Sequence, residues 1–168
     1  MAENTPSLDS AIAALKALGP ADQKVVTDVL AALGKAPIDQ NRFVMDFWGI
    51  EMERQANGHV LGRMPITPQA LNPLGIVHGG ITYTLADSAM GLAVWEQYHG
   101  SRAAVTVETK ITYLAPGRGR ELIADVTVLR AGQTLAYTEC RIQNDEGRLI
   151  ATATGTYYVW DPVQKLPD

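Results

Sequence analysis

The chain has 168 residues, 46% of them apolar and 19% charged, and its fourteen Lys and Arg against eighteen Asp and Glu leave a net charge of −4. That length suits one domain, or one domain with a short appendage, and it buries a core without covalent staples. The acidic balance argues against a nucleic-acid partner, which a basic surplus would serve. A single cysteine, Cys140, excludes an intrachain disulfide framework and any multi-cysteine zinc site.

The first nine residues carry Glu3 and Asp9 and no Lys or Arg, so they lack the positive start of a secretory signal. The apolar stretch 11–18 is interrupted by Lys16 and ended by Gly19-Pro20. No apolar run approaches the ~18 residues of a membrane span. The expectation is a cytoplasmic protein with no membrane contact.

Residues 7–34 predict two short amphipathic helices. Leu8, Ile12, Leu15 and Leu18 recur at helical spacing behind Ser7 as N-cap, and Val25, Val26, Val29, Leu30 and Leu33 form a second stripe ending at Gly34. Pro37 to Phe43 reads as a connector. A strand is expected from Phe47 to Ala56, a hairpin turn at Asn57-Gly58 and a returning strand from His59 to Ile66. Pro65, Pro68 and Pro73 then mark an irregular loop.

One long helix is predicted from Gly79 to Gln97, followed by four alternating strands at 103–114, 121–129, 134–143 and 148–160. In the last, Leu149, Ala151, Ala153 and Gly155 are expected on one face, small enough for a helix to approach closely. The order predicts an α+β domain, an antiparallel sheet wrapped around a long central helix. The sheet's open edges and second face predict a homo-oligomer.

The helix 79–97 is apolar on nearly every side, as buried helices are, yet Asp87 stands in its middle. Its neighbours along the helix surface, Tyr83, Thr84, Met90 and Gly91, include no cation. A carboxylate withdrawn from water without a partner costs several kcal/mol, a cost tolerated mostly where function needs it. Upstream, His78-Gly79-Gly80 opens the helix, where bare N–H groups and the helix dipole favour a developing oxyanion. Asp87 lies about 10–12 Å further along the axis. A ligand group must therefore bridge the gap, or a partner chain must contribute.

Asn72, Gly75, His78-Gly79-Gly80, Leu85 and Asp87 at these intervals resemble the signature of the hotdog-fold acyl-CoA thioesterases, particularly the phenylacetate-degradation-type (PaaI-like) branch. The segment from Val105 to Pro116 resembles that branch's strand after the central helix. The resemblance implies residues 41–163 as the hotdog domain, with residues 1–40 as an N-terminal helical extension. It implies Asp87 as nucleophile or general base, Gly79 as the amide that polarises the thioester carbonyl, and Asn72 as a positioning group. Thr106 matches a Ser/Thr position that enters the site from the neighbouring subunit, and His78 matches a loop-holding histidine.

A thioester suits such a site, because thiolate leaves without strong acid assistance and no Ser-His-Asp triad is needed. Gly80, Tyr83 and Met90 are further candidates for contact with the acyl-CoA substrate, Trp95 for the acyl pocket, and Arg118 and Arg120 on an expected hairpin tip for the coenzyme's phosphates, with Lys110 another cation in reach. His59, His78 and His99 lack metal-ligand spacing, so no metal is expected, and coenzyme A enters only as part of the substrate. The alternative from another class is an acyl-CoA-binding regulatory module that does not hydrolyse. A dehydratase ranks behind both, because the helix offers Asp87 no histidine partner.

Overall fold

The computed structural model describes residues 7–35, 43–55 and 59–162, and the chain divides into two compact units, Met1–Phe47 and Trp48–Asp168. In the first unit the two expected helices are α1 (Leu8–Ala17) and α2 (Pro20–Lys35). The Ser7 side chain accepts the Ser10 N–H at 3.2 Å and caps α1, while Pro20 opens α2, where a missing N–H costs nothing. Gln23 binds the two helices by donating to the carbonyls of Leu15 and Leu18.

The strand expected from Phe47 begins later. Phe43–Trp48 forms a short helix, α3, in which Phe43 and Phe47 stack at 5.8 Å, one turn apart on the same face. Of the expected connector 37–43 only Phe43 belongs to the described residues.

The second unit is a six-stranded antiparallel sheet with one helix packed on it. The strands are β1 (Glu51–Arg54), β2 (Val60–Pro65), β3 (Ala103–Tyr113), β4 (Glu121–Ala131), β5 (Leu135–Asn144) and β6 (Leu149–Trp160), and α4 spans Gly79–Gln97. Their order is β1-β2-β4-β5-β6-β3, which leaves β1 and β3 as edges. Arg54 faces Val60 across the first hairpin, whose Asn57-Gly58 turn lies outside the described residues. Leu85, Ala86, Ala89, Met90 and Val94 of α4 are fully buried, as are Met64, Leu122, Val126, Ala136 and Ile142 on the sheet face beneath them. Each large side chain contributes roughly 1.5–3 kcal/mol by leaving water.

Two departures from strict alternation matter. In β6 one residue more than in β5 lies between the pairs Ile142–Ala151 and Gln143–Leu149. This bulge turns Ile150 into the core and Leu149 out of the small-residue face predicted for it. In β3 a second bulge, at Val107, separates the pair Thr106–Tyr157 from Glu108–Thr156. Opposed residues share a face, so the bulge brings Thr106 and Thr109, three residues apart, to the helix side together. The segment 114–120 is a crossover and not the expected hairpin tip, because β3 pairs with β6 while β4 lies between β2 and β5.

Candidate active site

The site residues gather in two groups along α4. The first surrounds its N-terminus. His78 is the N-cap, and its Nδ1 accepts the Gly80 N–H at 3.0 Å, so the Gly80 amide expected to meet substrate is already occupied. The Gly79 N–H, one turn-opening position earlier, has no partner among the described residues. The Gly79 carbonyl accepts the Tyr113 hydroxyl at 2.7 Å, and a β-carbon at Gly79 would stand 3.2 Å from that ring. Burial, and then neighbouring Tyr83, raise the Tyr113 phenol above its ordinary range, so it remains a donor.

Asn72 organises the loop in front of this amide. Its Oδ1 accepts the N–H groups of Leu74 and Ile76 at 2.9 and 3.4 Å, and its backbone N–H donates to Ile76. Its side-chain NH₂ is left for another acceptor. Asn72 and Gly79 line one groove of about 350 Å³, whose walls include Ile76, Leu114, Pro116 and Ile150. Arg118 reaches across the loop to the Gly75 carbonyl at 3.4 Å, at the rim of this region. Arg120 instead binds Asp145 through both its backbone N–H and Nε, at 2.9 and 2.8 Å, and holds that carboxyl below its usual range.

The second group lies two turns along. Asp87 is partly buried and has no cation beside it among the described residues. Three hydroxyls replace the missing charge: Thr106, Thr109 and Tyr157 donate to Oδ1 at 3.0, 3.4 and 3.3 Å. Oδ2 has no partner among the described residues and remains open to a ligand. Tyr157 also points its hydroxyl at the Asp87 backbone carbonyl, at 3.2 Å.

Some placements correct the sequence reading. Thr106 is not one of these: its hydroxyl donates to Asp87 of its own chain, so the two side chains enter any site together. Met90 is fully buried between helix and sheet and packs as core, out of reach of a ligand in the groove. Tyr83 is half-buried next to Tyr113, while Trp95 is exposed near the far end of α4 and does not line the groove. Sequence reasoning missed Thr109, Tyr113 and Tyr157. Thr109 was hidden by the bulge at Val107, and nothing local sets Tyr113 and Tyr157 apart from other strand aromatics.

Among the described residues no three His, Cys, Asp or Glu side chains gather as metal ligands, and no helix is long and apolar enough to cross a membrane. The available chemistry is a carboxylate oxygen fixed by hydroxyl donors and a free amide at a helix start. In chemical terms a carboxylate of this kind can accept a proton and an amide of this kind can donate to an oxygen.

The chain is similar to several known proteins. Residues 74–151 match the thioesterase superfamily model, a span that holds the Gly79 amide, Asp87 and Thr106. Human acyl-coenzyme A thioesterase 13 is 30% identical over 136 residues, covering 80% of this chain and 96% of that protein. The medium/long-chain acyl-CoA thioesterase YigI of Escherichia coli is 33% identical over 97 residues, 50% of this chain and 63% of that one. A Bacillus halodurans protein crystallised with CoA superimposes with a TM-score of 0.77 at 32% identity, covering 87% of this chain and 97% of that structure. With the helix-on-sheet fold, the motif spacing and a relative matched over nearly its whole length, the chain belongs to the hotdog-fold thioesterase superfamily and is a thioester hydrolase.

Proposed function

We propose that the protein hydrolyses an acyl-CoA to free CoA and a carboxylic acid in the cytoplasm, as a member of the PaaI-like branch. The observation that carries this reading is the pair of unused groups on α4, the Gly79 N–H and Asp87 Oδ2. The amide, helped by the Asn72 side chain, would hold the thioester oxygen as charge develops on it. Asp87 would deliver the oxygen nucleophile, either by activating water or by attacking directly, and the thiolate of CoA then leaves.

The two groups stand eight residues apart on one helix, about 12 Å along its axis, too far to act on a single carbonyl. A second copy related by a two-fold axis would bring the Asp87 group of one chain to the Gly79 group of the other, so that each dimer holds two shared sites. The β3 edge supports this assembly. It pairs only with β6 and presents Val105 and Val107, with Leu114 just beyond, to solvent. CoA bound to the Bacillus halodurans relative supports the substrate class. Arg118 is placed to meet a phosphate at the rim, whereas Arg120 is committed to Asp145.

The test is thiol release from a panel of aryl and aliphatic acyl-CoAs. Asp87→Asn is expected to fold normally and to lose at least about a hundredfold in turnover, equivalent to about 2.7 kcal/mol of barrier. Similar turnover in both proteins would reject Asp87, and CoA-ester binding without thiol release in the wild type would favour a binding module. Mixing Asp87→Asn with Gly79→Val, each inactive alone, should restore about a quarter of wild-type activity through mixed dimers with one intact site. No restoration in mixed dimers verified by mass would reject the shared site.

A further inference from the structure

Tyr157 is built into the molecule in a way that packing alone does not require. Its ring is 2% exposed, set beneath the turn of α4 that carries Asp87. The slot that holds it is opened by Gly155, while Gly91 lies at ordinary packing distance. A β-carbon at Gly155 would lie 2.8 Å from Cε2 of the ring, and one at Gly91, a single turn beyond Asp87, would lie 3.7 Å from Cε1. The ring is buried against Gly155, and the only polar atom it carries meets the main-chain carbonyl and the Oδ1 of Asp87, at 3.2 and 3.3 Å. Thr106 and Thr109 reach Oδ1 from the edge strand β3, where Thr106 is exposed to solvent and water can compete for its hydroxyl. The Tyr157 hydroxyl sits at the end of a rigid, buried ring.

We propose that Tyr157 is a positioning residue for Asp87, fixing the carboxylate to its own backbone so that Oδ2 alone faces the thioester. This rests on the reading of Asp87 as the reactive group. The geometry is one donor shared between side chain and main chain, which sets the Asp87 side-chain rotamer and leaves Oδ1 unable to turn outward. Burial, and then the Asp87 charge, raise the phenol well above its ordinary range, so the donor keeps its proton across the working pH range.

Tyr157→Phe keeps the ring in its slot and removes the hydroxyl. The expected result is a loss of about tenfold in kcat, the scale of a hydrogen bond to a charged group, with KM unchanged within about twofold. Placed in Asp87→Asn, the same substitution should change the residual kcat by less than about twofold, because nothing is left to position. Wild-type kcat in Tyr157→Phe, or an equal loss in both backgrounds, would overturn the proposal. If Asp87→Asn is inactive while Tyr157→Phe is fully active, only the role of Tyr157 falls. If Asp87→Asn itself turns over normally, the reading of Asp87 falls and takes this one with it. Gly155→Ala, which pushes the ring from its slot, gives a second route to the same kcat-selective loss, and an unchanged kcat there also counts against it.

Discussion

The two candidate groups on α4 are made of different materials. At Gly79 the group left without a partner among the described residues is a backbone amide, with no side chain over it and with His78 capping the next amide instead. At Asp87 it is a side chain, and three hydroxyls from two strands hold it. An amide is already fixed by the helix that bears it, so this end needs only a loop and a clear approach. A carboxylate on a rotatable stem needs partners, and they come from β3 and β6. Damage to the first end is therefore steric, and damage to the second removes single atoms.

This contrast is sharpened most by Asp87→Asn, whose loss in turnover should exceed those of Gly155→Ala, Gly79→Ala and Thr106→Val while its melting temperature stays near that of the wild type. Gly155→Ala should come next and act on stability as well. Its new methyl meets Tyr157 at 2.8 Å and the Thr138 hydroxyl at 2.9 Å. Overpacking of that kind costs about 2 kcal/mol, so calorimetry should show Tm lower by about 4–8 °C. An unchanged Tm would mean that the ring moves aside freely.

Gly79→Ala should cost about tenfold in kcat/KM, about 1.4 kcal/mol, by pressing on the Tyr113 ring. Tyr113→Ala combined with it should recover part of the loss, and no recovery would locate the damage in the amide itself. Thr106→Val should lower kcat by only about threefold, since two donors to Oδ1 remain. A loss as large as that of Asp87→Asn would break the picture of shared support.

A separate effect, on stability and not on turnover, belongs to Cys140, outside both groups. Burial, then the charges of Asp125 and Glu139, push its thiol up to about 12 from 9.0. Above pH 9.0 the unfolded thiol ionises while the folded one does not, so the unfolded state binds fewer protons. Stability therefore falls as pH rises from about 9 toward 12, by at most about 1.4 kcal/mol per unit from this group. Cys140→Ala should flatten Tm against pH in that window, and an identical slope in both proteins would refute the assignment.

Much of this was legible before any coordinates. The bounds of α4, Gly79–Gln97, follow from its glycine start and its run of Ala, Leu and Met, and β3 to β6 follow from alternation and their Gly and Pro breaks. Asp87 stood out because it is charged where its helical neighbours are not. The two-helix start and the loop before His78 carried equally local signals. Phe47 misled because an aromatic suits a strand and a short helix alike, and only its stacking with Phe43 decides between them.

What the sequence by itself determined was therefore most of what depends on neighbours along the chain: where α1, α2, α4 and β2 to β6 run, which helix is buried, and which residue in it carries a charge with no cation along the helix. The tertiary structure alone decided what surrounds that residue. The bulge at Val107 turns Thr109 to the helix, the place of β6 in the sheet carries Tyr157 beneath Asp87, and the separation along α4 sets the amide and the carboxylate apart. Strand register and sheet order join residues from 19 to 70 positions distant in the chain. Such pairings are set by packing against the shared core, which no local pattern records.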